Sequence, residues 1–365
     1  MSAPEARLAV ATASAWADAG SCLIAGFGDP AVAEATGGPV TAFEQDLRAY
    51  RSIAPAEGRG IGFGPFLGKG FPLLEAQGPV ATGGFAAAVL QLPKATEHLR
   101  MLLTMTRPML ADDACLVLVG HNDAGIRSAD RHLRGLIGEG SVIDYRYHCR
   151  ALLARPTVPP SPFDPRAWLS TLREQPAGRP LIVCSYPGVF SHGEIDPGTR
   201  LLLETVRLPL NARVLDVGCG AGVIAAWVAA VVDEKVHAVD VSALALHATF
   251  LTAEANDVGD RVLVWGSDLF SDVSERYTHI LSNAPFHAGI KTSSGVAQRL
   301  IAEAPAFLRR GGELWLVANR FLDHGEQLAR AFDHVTVEAE DRRFRVWRAM
   351  TASTTKKAPL VRRLL

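Results

Sequence analysis

The stretch Val214-Leu215-Asp216-Val217-Gly218-Cys219-Gly220-Ala221-Gly222 decides the fold. A short apolar run carries one acid near its end, glycines follow at every second position, and apolar residues then continue to Val232. A strand that turns through glycines into a helix brings backbone N–H groups and a helix N-terminus to a ligand. Dinucleotide enzymes space such glycines G-x-G-x-x-G, which lets a pyrophosphate approach the backbone. Here the pattern is Asp216-x-Gly218-x-Gly220-x-Gly222, and a carboxylate at that point would repel a pyrophosphate. The same carboxylate suits an ammonium group. A nucleoside with an amino-acid tail and no phosphate meets both conditions, which points to S-adenosylmethionine. Asp240, 20 residues past Gly220 and at the end of the next apolar run, stands with Val241 where an acid would hold ribose hydroxyls. Asp268, with Leu269, follows a third run and is a candidate acceptor for the adenine amine. Cys219 comes with no neighbouring base in the motif, so it reads as a packing residue rather than a nucleophile.

Downstream, the apolar run 279–282 leads into Asn283-Ala284-Pro285-Phe286. Asn283 supplies an amide donor and a carbonyl acceptor. Pro285 biases Ala284 to an extended backbone, which presents the Ala284 carbonyl as a second acceptor. Two acceptors can grip both hydrogens of an aromatic –NH2 and turn the nitrogen lone pair out of ring conjugation. Phe286 offers a face to a base, a contact worth about 1–3 kcal/mol. His287 beside it reads as a capping or supporting histidine rather than a base. The acid-ended turn and the tetrapeptide together suggest methyl transfer to an exocyclic amine.

Around these motifs strands and helices alternate. Residues 181–186, 213–217, 235–239, 261–265, 277–282 and 313–318 read as strands, and 196–206, 222–232, 243–256 and 295–308 as helices. Residues 335–337 and 345–348 read as a closing hairpin. That alternation predicts an α/β fold with parallel β-α-β units in a doubly wound sheet. The N-terminal half repeats the plan faintly: Cys22-Leu23-Ile24-Ala25-Gly26-Phe27-Gly28-Asp29 resembles the strand and its glycine turn. Leu92-Pro93-Lys94 is expected to stand where the second copy has Asn283-Ala284-Pro285. Ile24 or Ala25 replaces Asp216, and the third glycine is missing. The expectation is two tandem Rossmann-like domains, the first degenerate and serving as a structural or RNA-binding copy without cofactor. The five prolines of 156–165 mark the boundary, giving domains at 1–165 and 178–350 and a basic tail at 351–365.

Composition limits the remaining choices. Hydrophobic residues are 48% and charged residues 21% of the 365, too apolar for a disordered chain. The apolar stretch 221–232 is too short for the ~20 residues a bilayer demands. The N-terminus shows no basic-then-apolar leader pattern. Five scattered cysteines without a C-x-x-C pair argue against a zinc site or a disulfide framework and fit a cytoplasmic protein. A formal charge of −1 gives no global attraction for nucleic acid, so RNA contact needs a local patch. Arg127, Arg131 and Arg134, spaced to share a helix face, are one candidate, and Lys356, Lys357, Arg362 and Arg363 of the tail another.

These residues resemble a family, the RsmC/RlmG-type ribosomal RNA guanine-N2 methyltransferases. The likeness rests on Pro187-Gly188-Val189-Phe190-Ser191 with Asp196 and Leu201-Leu202-Leu203, and on the glycine turn. Asp240-Val241-Ser242-Ala243, Ser282-Asn283-Ala284-Pro285-Phe286-His287 and Gly311-Gly312-Glu313-Leu314 extend it. It is dense over 181–350, weaker over 89–138, and fades before Gly78. The family's tetrapeptide is N-P-P-F, so Ala284 keeps the carbonyl and loosens the loop. The resemblance implies a degenerate first domain and an active second one, S-adenosylmethionine as donor, and a guanine amine of ribosomal RNA as acceptor. It implies that Asp216, Gly218, Gly220, Asp240 and Asp268 line the cofactor, that Phe190 and Ser191 roof it, and that Asn283, Ala284 and Phe286 hold the base. A monomer acting on ribosomal RNA or a ribosomal subunit is expected. Two rivals stay open: N-methyl transfer to a protein glutamine or small molecule, and a non-catalytic RNA-binding assembly factor.

Overall fold

The computed structural model describes residues 2–36, 38–283 and 291–352. It divides into two compact units: 1–170 with 185–192 and 241–247, and 171–184 with 193–240 and 248 onward. The main division, at 170/171, falls in the gap between the expected domains 1–165 and 178–350, and two short segments return to the first unit. Backbone bonds explain the return at 241–247: Leu47 N–H donates to the Val241 carbonyl and Ala243 N–H to the Gln45 carbonyl, both at 2.8 Å.

The first unit contains α1 (Pro4–Ala11), β1 (Cys22–Ala25), α2 (Pro30–Glu34), β2 (Val40–Glu44), α3 (Leu47–Ser52), β3 (Arg59–Phe63), β4 (Glu75–Gln77), β5 (Phe85–Gln91), α4 (Thr96–Thr106), β6 (Leu110–His121), α5 (Ile126–Leu136), β7 (Gly140–Arg146) and β8 (Cys149–Ala154). Its sheet runs β4-β3-β2-β1-β5-β6-β8-β7. A two-stranded ribbon follows, β9 (Ser170–Glu174) and β10 (Leu181–Ser185). The second unit contains α6 (Pro197–Thr205), β11 (Val214–Val217), α7 (Val223–Ala229), β12 (Val236–Asp240), α8 (Ala243–Ala255, its first turn counted with the first unit), β13 (Val262–Gly266), β14 (Tyr277–Ser282), α9 (Lys291–Phe307), β15 (Leu308–Asn319), α10 (Gly325–Ala331), β16 (His334–Glu340) and β17 (Phe344–Met350). Its sheet runs β13-β12-β11-β14-β15-β17-β16. With β4 set aside, the two orders are the same. The duplication read from faint spacing is therefore a duplication of topology.

In the second sheet β13, β12, β11, β14 and β15 are parallel, and β17 and β16 close it antiparallel. Strand order reverses between β11 and β14, so a crevice opens beyond their carboxyl ends. The strands are apolar on both faces because helices cover both. Leu215, Val217, Ile280, Leu314 and Leu316 are at most 1% exposed in one cluster with Leu300 and Ile301 of α9.

Several boundaries move. α7 stops at Ala229, because Val231 and Val232 N–H both turn back to the Val228 carbonyl. Asp196 is the cap of α6 rather than its first residue. β15 begins at Leu308 and takes in the two glycines expected to precede it.

Register also corrects the alignment of the two copies. Ile24 pairs with Val89 as Asp216 pairs with Leu281, in strands of equal length that each end at a glycine. Ile24 therefore stands where Asp216 does. Two residues beyond Val89 and Leu281, Gln91 corresponds to Asn283, so Leu92-Pro93-Lys94 falls one place later than expected, opposite 284–286. Across the other neighbour, Ala25 pairs with Phe43 and Val217 with Val239, which makes Glu44 the counterpart of Asp240.

Candidate active site

The glycine turn after β11 is strapped to β12: Gly218 and Cys219 N–H both donate to the Val239 carbonyl, at 2.9 and 3.0 Å. Gly220 N–H donates to Asp240 Oδ2 at 3.0 Å, which joins the turn to the acid expected to hold ribose. A Cβ at Gly218 or Gly220 would meet nothing within 4 Å among the described residues, which leave the backbone open there. Gly222 is different. A Cβ on it would sit 2.8 Å from Thr249 Cα, so this glycine lets α7 and α8 close together.

Asp216 is fully buried. Its Oδ2 accepts from Ala225 N–H at 3.1 Å, while Oδ1 has no hydrogen-bond partner among the described residues. Burial pushes this carboxyl up to about 8; the Ala225 N–H pulls it down and the charge of Asp240 pushes it up. A buried acid with one unmatched oxygen is the partner that an ammonium group calls for. The open glycine backbone, Asp240 and the unmatched Asp216 oxygen together fit S-adenosylmethionine. Cys219 is buried and accepts from the Thr249 hydroxyl at 3.2 Å, and burial drives its thiol well above the ordinary value. It packs and does not attack.

Asn283 follows β14 at the crevice. Its Nδ2 donates to Asp196 Oδ2 and to Thr199 Oγ1, both at 2.8 Å. Asp196 Oδ2 also accepts from Thr199 N–H at 3.0 Å, capping α6. A carboxylate can only accept, so the amide is fixed with its NH2 toward α6 and its carbonyl oxygen on the other side. Sequence reading placed Asp196 at a helix start and missed this second task. The only local sign was the Asp-Pro start of α6. Ala284, Pro285, Phe286 and His287 lie outside the described residues, as does the tail from 353.

The remaining candidates divide. Asp268 Oδ2 is engaged by Arg299 Nη1 at 3.0 Å, a neighbour no motif revealed. Leu269 is 8% exposed and adopts φ +55°, with its carbonyl accepting from the Ser267 hydroxyl at 2.9 Å. Phe190, Ser191 and Val241 belong to the first unit; Phe190 is exposed and Ser191 has φ +52°. Arg127, Arg131 and Arg134 are exposed on α5, where Arg134 pairs with Asp130 at 2.9 Å and Arg131 donates to the His132 ring. Among the described residues no group of three or more His, Cys, Asp or Glu could hold a metal ion. No helix there is long and apolar enough to cross a membrane.

Sheet order, acid-ended glycine turn and ribose-type acid define the class: an S-adenosylmethionine-dependent methyltransferase. Residues 180–348 match the Methyltransferase small domain family and 74–172 match Methyltransferase small domain N-terminal. The chain is 40% identical over 286 residues to ribosomal RNA small subunit methyltransferase C of Chromohalobacter salexigens, covering 77% of this chain and 83% of that one. Against the protein of the same name from Psychromonas ingrahamii it is 37% identical over 268 residues, covering 73% and 76%. The chain belongs to the ribosomal RNA small subunit methyltransferase C family. Its fold matches the Thermus thermophilus 16S rRNA N2 G1207 methyltransferase, solved with AdoMet and guanosine, at a TM-score of 0.76 and 24% identity. That match covers 91% of this chain and 88% of the other.

Proposed function

We propose that this chain transfers the methyl group of S-adenosylmethionine to the exocyclic N2 amine of a guanine in small-subunit ribosomal RNA. The observation that carries this reading is the fixed amide of Asn283 at the crevice beside the Asp216–Gly220 turn. S-adenosylmethionine supplies, when bound, an electrophilic methyl on a sulfonium. Asp216 takes its ammonium, Asp240 its ribose hydroxyls, and the backbone of Gly218 and Gly220 allows close approach.

The task left to the protein is to make the guanine amine a nucleophile. Its lone pair is delocalised into the ring. Asn283 Oδ1 accepts one of its hydrogens and the Ala284 carbonyl the other, which turns the lone pair toward the methyl. Phe286 is the residue we assign to stacking on the base. The N–C bond forms as the S–C bond breaks to leave a neutral thioether, and the methylated nitrogen, then cationic and acidic, gives its surplus proton to water; alignment is the chief demand and no strong base is required. The base must leave any helix to reach such a crevice, so the target is a splayed or single-stranded guanine. The partner is ribosomal RNA or the small subunit, the compartment the cytoplasm, and the working form a monomer. Arg127 on α5 is a candidate phosphate contact.

The test is methyl incorporation from labelled S-adenosylmethionine into small-subunit RNA, followed by mass mapping of the modified nucleotide. N2-methylguanine that disappears in Asn283→Ala is expected. Label in protein and none in RNA would overturn the reading.

A further inference from the structure

The first unit keeps more of the site's machinery than a discarded copy needs. Gly26 and Gly28 have φ +85° and +58°, close to the +77° and +55° of Gly218 and Gly220. Gly28 N–H donates to Glu44 Oε1 at 3.1 Å, as Gly220 N–H does to Asp240. Gln91 holds the place of Asn283, with the same amide one methylene longer, and Pro93 the place of Pro285. The changes are equally pointed. Ile24 replaces Asp216, which removes the acid for an ammonium tail, and Lys94 replaces Phe286, which brings an exposed cation to the mouth.

Gly26, Glu44, Gln91, Pro93 and Lys94 line a cavity, with Asp46 as a second acid on its wall. It has a volume of about 440 Å³, within the range of small-ligand sites, and lies among Gly26, Glu44, Gln91, Leu92, Lys94 and His98. We propose that this cavity binds a ribonucleotide, with Glu44 on the ribose hydroxyls, Leu92 against the base and Lys94 on the phosphate. The exchange of an acid for Ile24 and of an aromatic for Lys94 is what distinguishes it from the cofactor site: ammonium recognition is lost and phosphate recognition is gained.

Two further groups fit that ligand. Glu44 is 1% exposed, and burial raises its carboxyl to about 8, while the cavity's other acid, Asp46, is paired with Arg48 at 2.7 Å. Gln45 Nε2 donates to the Pro65 carbonyl at 2.7 Å, which fixes its Oε1 toward His98 Nε2, also at 2.7 Å. His98 therefore carries its proton on Nε2, and burial lowers its pKa to about 4, so the ring stays neutral and Nδ1 is an acceptor.

The test is calorimetric titration of the full chain with GMP and AMP, S-adenosylhomocysteine being present in saturating amount to fill the second unit's cofactor site, and AMP, which lacks the 2-amine that the second unit's acceptor site takes, reading the first unit alone. One further equivalent of bound nucleotide is expected. Its affinity should fall about tenfold in Lys94→Ala and in Glu44→Ala, the loss of one charge-assisted or hydroxyl hydrogen bond each. The 2′-deoxynucleotide should bind more weakly than the ribonucleotide. A tetranucleotide RNA titrated in parallel separates the sources: tighter binding than GMP makes the natural occupant an RNA residue, weaker binding a free nucleotide. Retention of S-adenosylhomocysteine binding in both variants certifies their folding. No nucleotide binding beyond the second-unit site, or binding that neither variant changes, overturns the proposal. Guanine methylation of ribosomal RNA is scored separately and can succeed while this fails.

Discussion

Asn283 is positioned by a residue 87 places earlier in the chain, and that distance explains what sequence could not show. An amide pinned by Asp196 and Thr199 has one orientation; released, its two ends are interchangeable. Asp196→Ala is therefore expected to lower kcat about 10–100-fold, the loss seen when an oriented group is let go. The Kd for S-adenosylmethionine should hold within about twofold, since removing a group that orients the base and leaves the cofactor's contacts alone costs little there. Single-turnover rates beside cofactor binding check this. An equal loss in both would mean that Asp196 serves only the fold.

At the scale of elements, the glycines of one turn do different work. Gly222 is a packing glycine. An alanine there meets Thr249 at 2.8 Å with φ at +77°, which costs about 2–4 kcal/mol from overpacking and left-handed strain together. Gly220→Ala meets nothing and costs about 1 kcal/mol of stability from φ alone. Its loss should appear instead as weaker cofactor binding. Chemical denaturation and titration of the two variants side by side check the split. Asp216, Gly218 and Gly220 were legible in the sequence because one turn at the end of one strand gathers them within a few residues, and Asp240 because it ends the next strand. The match of Gln91 with Asn283 was not. Spacing counts residues, whereas correspondence is set by which residues pair across a sheet, and β1 with β5 supplies that only once folded. The Arg299 partner of Asp268 was hidden for the same reason. So was the assignment of 241–247 to the first unit, which rests on backbone bonds to Gln45 and Leu47.

On the scale of the molecule, each unit has a buried carboxyl at the corresponding end of its sheet, Glu44 and Asp216, and burial raises both to about 8. A folded pKa above the unfolded one means the native state holds the proton more tightly. The resulting stability is complete below the ordinary carboxylate range and drains away as pH rises toward 8. The ligand-free protein should therefore melt at progressively lower temperature from pH 5 to pH 9. Asp216→Asn, which cannot ionise, should flatten that decline and exceed the parent chain at pH 9 while losing methyl transfer. A melting series by scanning calorimetry checks it; parallel curves for the two proteins would count against a buried ionisation.

Asp196 carries a consequence of another kind. The atom that steadies the amide, Oδ2, is the atom that caps α6. Helix ends fray well before domains unfold. When the first turn of α6 opens, the amide of Asn283, which we propose aims the guanine amine, is released with it. The upper temperature of catalysis is then set by one turn of helix rather than by the core. Methyl transfer should fade reversibly several degrees below the calorimetric transition, an opening confined to a helix end being far easier than global unfolding. The enzyme's heat limit would lie in its aim and not in its architecture.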